Sequence, residues 1–433
     1  MAGRLVNALG AAAVTAEAFS DTATLRHMLC FEAALARAVA QAGLIPTKHA
    51  PIIAAACDPA LYDPAPLAEA ARRTATLTVP VVKALTAEVA KRDAEAAAYV
   101  HWGATSQDVI DTAMVRQLGE ALPPILKGID DIVEAFATLA RKHRETLMLG
   151  RTLLQPATPL ALGQKIGGWA SDLDRAKRRL SESFSETQIL QFGGASGSLS
   201  ALGDKAEQVM TTLAQELKLA LPPAPWFTQR VRLAAFAQDC ALICGALGKA
   251  ARDISLMMQV EVGEASEPSG PGRGGSSTMP HKRNPVGAAL MLAAANRAPH
   301  LAATIVSGMV QEHERALGGW QSEWPTVAAL VEALGSSVQA MAEVAPGLMI
   351  DPDAIQANMD AAEAAVFAER ATFLLAESIG KQKAHALIEA ALAKGGSFVE
   401  ALGQLEKELG DRKALLGYSP EFVDRLLEDL KRK

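Results

Sequence analysis

The sequence predicts an all-α protein made of three helical domains around a central long-helix bundle, and three observations carry that expectation. Half of the residues are apolar but only 4% are aromatic, and the tracts rich in Ala, Leu, Glu, Lys and Arg favour helix, with little of the β-branched enrichment of strands. Apolar residues recur at the helical period over long tracts. The 433-residue length exceeds the usual size of one hydrophobic core, so more than one domain is expected.

Taken in order, Ser20 and Asp21 read as the cap of a first long helix. Its apolar positions Leu25, Met28, Leu29, Ala36 and Val39 keep the helical period until Gly43 and Pro46 stop it. Proline-bearing segments at 58–66, 122–124, 221–225 and 349–352 are expected to punctuate the helical tracts. Between the second and the last of these lie helical runs well beyond the ~11–12 residues of an average helix, which points to helices packed along one another in a bundle. The expected division is an N-terminal helical domain at 1–105, the central bundle at 106–345 and a C-terminal helical domain at 346–433.

Composition excludes several classes of function. The formal net charge is −6 and no basic run marks a nucleic-acid footprint. The opening MAGRLVNALGAAAVTAEAF lacks the apolar core of a signal peptide, and Glu17 interrupts it. The apolar tract from Val286 is broken by Asn296, Arg297, Pro299 and His300 before it reaches the ~20 residues of a membrane span. A soluble cytoplasmic protein with no membrane or nucleic-acid partner is expected. The cysteines, Cys30, Cys57, Cys240 and Cys244, form no CxxC pair and read as reduced thiols. No metal-ligand set such as HExxH is present, so neither a metal nor a cofactor is expected.

The stretch GGSSTMPHKRNP, 274–285, admits three readings: a phosphate cradle, a mobile catalytic loop or a flexible helix entry. A phosphate loop of the GxxxxGK[ST] type needs lysine where Ser276 stands, although Gly270 and Gly275 have the right spacing. Asn284 and Pro285 read as N-cap and first residue of the helix that follows, so the stretch ends at a helix N-terminus whose free N–H groups favour an anion. Lys282, Arg283 and His281 add positive charge, and a serine in that field can serve as an acid or base.

Two further segments carry chemistry. HWGATSQD, 101–108, gathers an imidazole, two hydroxyls and a carboxylate, and GRTLLQPATPLALGQK, 150–165, adds Arg151, Thr152 and Gln155. Each alone reads as helix capping. With GSSTMPHKRNP they resemble the three signature regions of the fumarase/aspartase superfamily, in the expected order and spacing, and the resemblance covers nearly the whole chain. It implies a fumarase/aspartase-like fold and a homotetramer whose active sites are shared between subunits. It also implies elimination or addition next to a carboxylate through an aci-carboxylate intermediate. Ser276 is then the carbon acid/base, while Thr105, Ser106, Arg151, Thr152, Gln155, Lys282 and Asn284 bind the substrate carboxylates. His101 falls in the site, either as a catalytic group or as a structural histidine.

Most members read GRTH where this chain has Leu153, and that histidine is assigned to protonating the leaving group. Amine or hydroxide departure needs such a donor, whereas a carboxylate with a pKa near ~4 leaves unaided. The departure points to the superfamily's cycloisomerase branch, which interconverts 3-carboxy-cis,cis-muconate and 4-carboxymuconolactone in aromatic catabolism. The stretches at 19–46, 225–232, 313–324 and 416–427 resemble the same branch. The branch usually reads PWHTQRDR where this chain has Phe227 and Val231. Gln229 and Arg232 carry over as substrate contacts, and Arg230 receives no role. Two alternatives are an adenylosuccinate lyase-like C–N lyase releasing fumarate and a non-catalytic structural member of the superfamily. Against the lyase, HERALGGWQSEW offers no phosphate ligands after its HER segment.

Overall fold

The computed structural model describes residues 8–10, 12–270, 273–275, 279, 282–394, 397–403, 409 and 411–432. The protein is all-α, with a few short strands. The chain divides into two compact units: 1–127, 176–245 and 293–339 form the first, and 128–175, 246–292 and 340–433 form the second.

In the first unit α1 (Asp21–Gln41) begins as the sequence indicates, with the Ser20 hydroxyl accepting the Ala23 N–H at 3.1 Å. It ends at Gly43, which has φ +76° and donates its N–H to the Ala40 carbonyl. The buried face of α1 shares one apolar core with α2 (Ala50–Ala56) and α4 (Thr78–Arg92), and α3 (Pro64–Thr74) precedes α4 in the chain. Phe31, Ile53, Leu85 and Val89 are fully buried in that core.

Five long helices follow: α5 (Ser106–Lys142), α6 (Leu162–Thr187), α8 (Val231–Met257), α9 (Val286–Ser307) and α10 (Gly319–Val344), with the shorter α7 (Ala206–Leu217) after α6. The boundaries between the units fall inside all five long helices. Two apolar stretches, α8 and 319–347, are long enough to cross a membrane, yet 56% and 67% of their most apolar windows is buried inside the protein, as in core helices.

One expectation fails at 122–124. Pro123 and Pro124 lie inside α5 instead of interrupting it. Each of these prolines removes an N–H donor and sets its ring against the carbonyl four residues earlier. Leu118, Ala121, Leu122, Ile125 and Ile129 on the same helix are all buried, and packing of that stripe outweighs the loss. The other proline segments do separate helices.

In the second unit, β1 (Leu147–Thr152) and β2 (Gln155–Ala161) form an antiparallel hairpin with a register irregularity between Met148 and Gly150. Gly150 is required there, because a Cβ would lie 2.2 Å from the Thr158 carbonyl oxygen. Two-residue strands β3 (Ala265–Ser266) and β4 (Met349–Ile350) pair antiparallel in a separate two-stranded sheet, and α11 (Pro352–Ala361), α12 (Glu363–Ile379) and α13 (Lys381–Lys394) follow β4 in the chain. Ala371, Leu375, Ala384 and Ile388 form a small core between α12 and α13. In α14 (Ser419–Asp429) the Ser419 hydroxyl accepts the Ala161 N–H at 2.8 Å, which ties this helix to the end of the hairpin. All four cysteines are free; Cys240 and Cys244 are buried, and Cys30 and Cys57 are half-buried.

In the first unit Arg26 grips Glu120 through both terminal nitrogens, at 2.9 and 2.7 Å. The Arg26 hydrogen bond, opposed by burial and helped by His27, pulls the Glu120 carboxyl down from 4.5 to about 2. Because the folded-state value is depressed, this contribution to stability is present above the unfolded value and is lost as pH falls through the folded one. Glu120→Gln should therefore lower the thermal midpoint at pH 7, and the difference from the wild type should shrink between pH 4.5 and about 2. Melting curves over that range check it.

Candidate active site

The segment HWGATSQD enters α5 through a tight turn. His101 has φ +61° and Gly103 has φ +76°, and a Cβ on Gly103 would meet Leu202 at 2.8 Å. Asp108, in the first turn of α5, accepts the Thr105 N–H at 3.0 Å, which is the N3 half of a capping box, while its own N–H donates to the Thr105 backbone carbonyl. The same carboxylate accepts from Gln191 Nε2 (3.1 Å) and from the N–H groups of Gly193 (2.9 Å) and Gly194 (3.0 Å). Complete burial pushes Asp108 up to about 7 even though these four donors favour its charged form. Asp108 thereby fixes Thr105 and Ser106 against the 191–194 segment.

His101 Nδ1 lies 2.6 Å from Glu32 Oε1, where its N–H donates to the carboxylate. The Glu32 side chain is fully buried in α1, and that of His101 is 20% exposed.

The segment 225–232 sits in the same unit. Gln107 Nε2 donates to the Phe227 carbonyl at 2.9 Å, which brings this segment to the start of α5. Gln229 is exposed, and Arg232 lines a small crevice with Trp226 and Leu233. Arg230, to which the sequence assigned no role, is buried between two carboxylates. Its Nη1 donates to Asp111 Oδ2 at 2.7 Å, its Nε to Glu323 Oε1 at 3.1 Å, and its Nη2 bonds Glu323 Oε2. Trp320 Nε1 donates to Asp111 at 2.9 Å and Gln311 to Glu323 at 3.2 Å, while the guanidinium lies 4.6 Å from the centre of the Trp226 ring.

In the second unit the hairpin register sets Thr152 opposite Gln155 across a two-residue turn. The turn residues Leu153 and Leu154 both have positive φ, 52° and 64°, where Asn-Gly is the usual solution. Leu153 is 97% exposed. Arg151 is held bidentately by buried Glu264, at 2.9 and 2.7 Å, and Asn358 Nδ2 donates to the same carboxylate at 2.9 Å.

Lys282 and Asn284 line a cavity of about 320 Å³ together with Ser266, Glu267, Ser269 and Arg273. Ser276 and His281 lie outside the described residues. The helix entry differs from the sequence expectation. α9 begins at Val286, and Asn284 is outside the cap: its N–H donates to the Gly274 carbonyl. The cap is Glu267, whose carboxylate accepts the N–H groups of Gly287 and Ala288 at 2.9 and 2.8 Å. Those donors are satisfied within the protein, and Lys282 and Arg283 add positive charge beside them. The helical tract from Val231 also stops at Met257, short of the glycine-rich stretch.

Residues 8–299 match the lyase family. The chain belongs to that family. Within it, the chain is 49% identical to 3-carboxy-cis,cis-muconate cycloisomerase of Bradyrhizobium diazoefficiens over 98% of this chain and 97% of the relative. It is 45% identical to the protein of the same name from Pseudomonas aeruginosa, over 99% and 93% of the two chains. The crystal structure of 3-carboxy-cis,cis-muconate lactonizing enzyme from Pseudomonas putida superposes with a TM-score of 0.93 at 42% identity, covering 99% of each chain.

Among the buried polar residues that hold the signature segments within each unit, sequence reasoning passed over Glu32, Asp111, Arg230 and Glu323 in the first and Glu264 and Glu267 in the second. A signal existed for two of them: Glu32 and Asp111 stand among apolar core positions of α1 and α5, where a charged side chain requires a partner. Asp108→Asn should keep one acceptor and turn the other oxygen into a donor facing backbone N–H groups. The expected cost is about 2–3 kcal/mol of stability, read as a lower denaturant midpoint with an unchanged slope.

Proposed function

We propose that the chain catalyses the interconversion of 3-carboxy-cis,cis-muconate and 4-carboxymuconolactone as a 3-carboxy-cis,cis-muconate cycloisomerase in aromatic-compound catabolism. The observation that carries the reading is Leu153. At the position where most superfamily members place a leaving-group acid, this chain has an apolar, exposed turn residue between Thr152 and Gln155. A carboxylate leaving group needs no proton. The relatives at 45–49% identity bear the same name, which supports the reading.

In the proposed mechanism the substrate carboxylates are held by Thr105 and Ser106, by Thr152 and Gln155, and by Lys282 and Asn284, with Gln229 and Arg232 as outer contacts. One carboxylate oxygen attacks the ring-closing carbon. The C–O bond forms as the double-bond pair moves onto the neighbouring carboxylate, giving an aci-anion stabilised by fixed donors and cations. Ser276, directly or through a relay, delivers a proton to the adjacent carbon, and atoms balance as an isomerisation. Arg151, engaged with Glu264, orders the hairpin that presents Thr152 and Gln155. The protein is proposed to work in the cytoplasm as a homotetramer with sites shared between subunits. The exposed Leu153 and Leu154 at the hairpin tip support a contact surface there.

Ultraviolet absorbance of 3-carboxy-cis,cis-muconate and of adenylosuccinate, followed in parallel with the purified protein, tests the activity. Loss of the first diene alone is expected, and cleavage of the second alone overturns the reading. Ser276→Ala should lower kcat by about 10²–10⁴-fold with an unchanged melting temperature. Mixing Ser276→Ala with a Thr105→Val, Ser106→Ala double variant should restore part of the activity, because mixed tetramers regain some complete sites. Absence of recovery in verified mixed tetramers would contradict shared sites.

A further inference from the structure

Glu32 sits in the apolar core of α1, with Leu29 and Leu35 buried on the same helix, and its side chain has no exposure. Its Oε1 meets His101 Nδ1 at 2.6 Å, and its Oε2 has no hydrogen-bond partner among the described residues. A buried carboxylate with a single partner depends on that partner for its countercharge. The imidazole lies on a turn held at positive φ, so its backbone is fixed in a conformation that costs energy outside glycine. His101 Nδ1 is occupied, and Nε2 is the nitrogen left for another ligand; the side chain's 20% exposure gives it access.

We infer that Glu32 is a positioning residue of the reaction: its buried carboxylate fixes the His101 ring through Nδ1 and keeps the imidazole protonated, so that Nε2–H donates to a substrate carboxylate. This rests on the lactonising reading above. The groups facing the imidazole are Glu32 from α1 and Asp108 from α5, and Cys57, just after α2, faces Glu32. Burial opposes charge on the ring, but the Glu32 carboxylate outweighs it and holds His101 above its ordinary 6.5. A cation held this way answers the growing charge of the aci-anion without moving a proton to carbon, which leaves that transfer to Ser276. No net proton is consumed by the dyad.

In E32Q the carboxamide oxygen still accepts from Nδ1–H, but the negative charge is gone. The expected result is a kcat for lactonisation lowered about 10²–10³-fold, with KM little changed and the alkaline limb of the pH profile moved to lower pH. H101Q should show a similar loss, and adding E32Q to H101Q should cost little more. A wild-type kcat and pH profile in E32Q, or losses that multiply in the double variant, overturn the inference. Imidazole NMR titration of the substrate-free protein separates the two claims. His101 should titrate above 6.5 in the wild type and lower in E32Q, and an identical titration in both refutes the dyad. Failure of the wild type to consume the diene refutes the lactonising function by itself.

Discussion

The first unit depends on one buried guanidinium. Arg230 joins Asp111 of α5 to Glu323 of α10, and Trp226, Trp320, Gln107 and Gln311 complete its surroundings. Three charges without exposure are costly to desolvate, and they persist only because each finds an opposite charge and further donors. Removing one member strands the others, at a cost of about 3–5 kcal/mol. Gln107 and Asp108 stand on the same stretch of α5 as Asp111, so the cluster that closes the core also sets the position of the turn bearing Thr105 and Ser106.

Polar networks of this kind hold the signature segments within each unit. Asp108 secures the first signature segment, Glu264 secures Arg151 at the base of the hairpin tip, and Glu267 closes the end of α9. None of these carboxylates is free to act on substrate, because the protein's own N–H groups and guanidinium already occupy it. In the proposed mechanism the substrate carboxylates are left to hydroxyls, amides and cations, the groups suited to gripping them.

Local features were legible in the sequence and distant ones were not. Ser20 and Gly43 bound α1 where their own chemistry says they should, since a cap needs only its immediate neighbours. The prolines at 123 and 124 misled because a local penalty is outweighed by burial along the whole of α5. Arg230 finds its partners 119 and 93 residues away, and no spacing rule reaches that far. The hairpin turn was hidden because Leu153 and Leu154 lack the residue types that announce positive φ. The buried carboxylates that fix the first two signature segments, Asp108 among them as a cap and Glu264 as the partner of Arg151, act through contacts that no local pattern announces. Glu267 took the capping role that the sequence had given Asn284.

In the proposed reaction this framework lactonises a muconate by adding carboxylate oxygen to one carbon and a proton to its neighbour. Product analysis by NMR after turnover of 3-carboxy-cis,cis-muconate in D2O measures both bonds at once. The expected product is 4-carboxymuconolactone carrying one deuterium on the carbon next to the new C–O bond. Absence of the lactone, or a lactone without deuterium at that carbon, would contradict it.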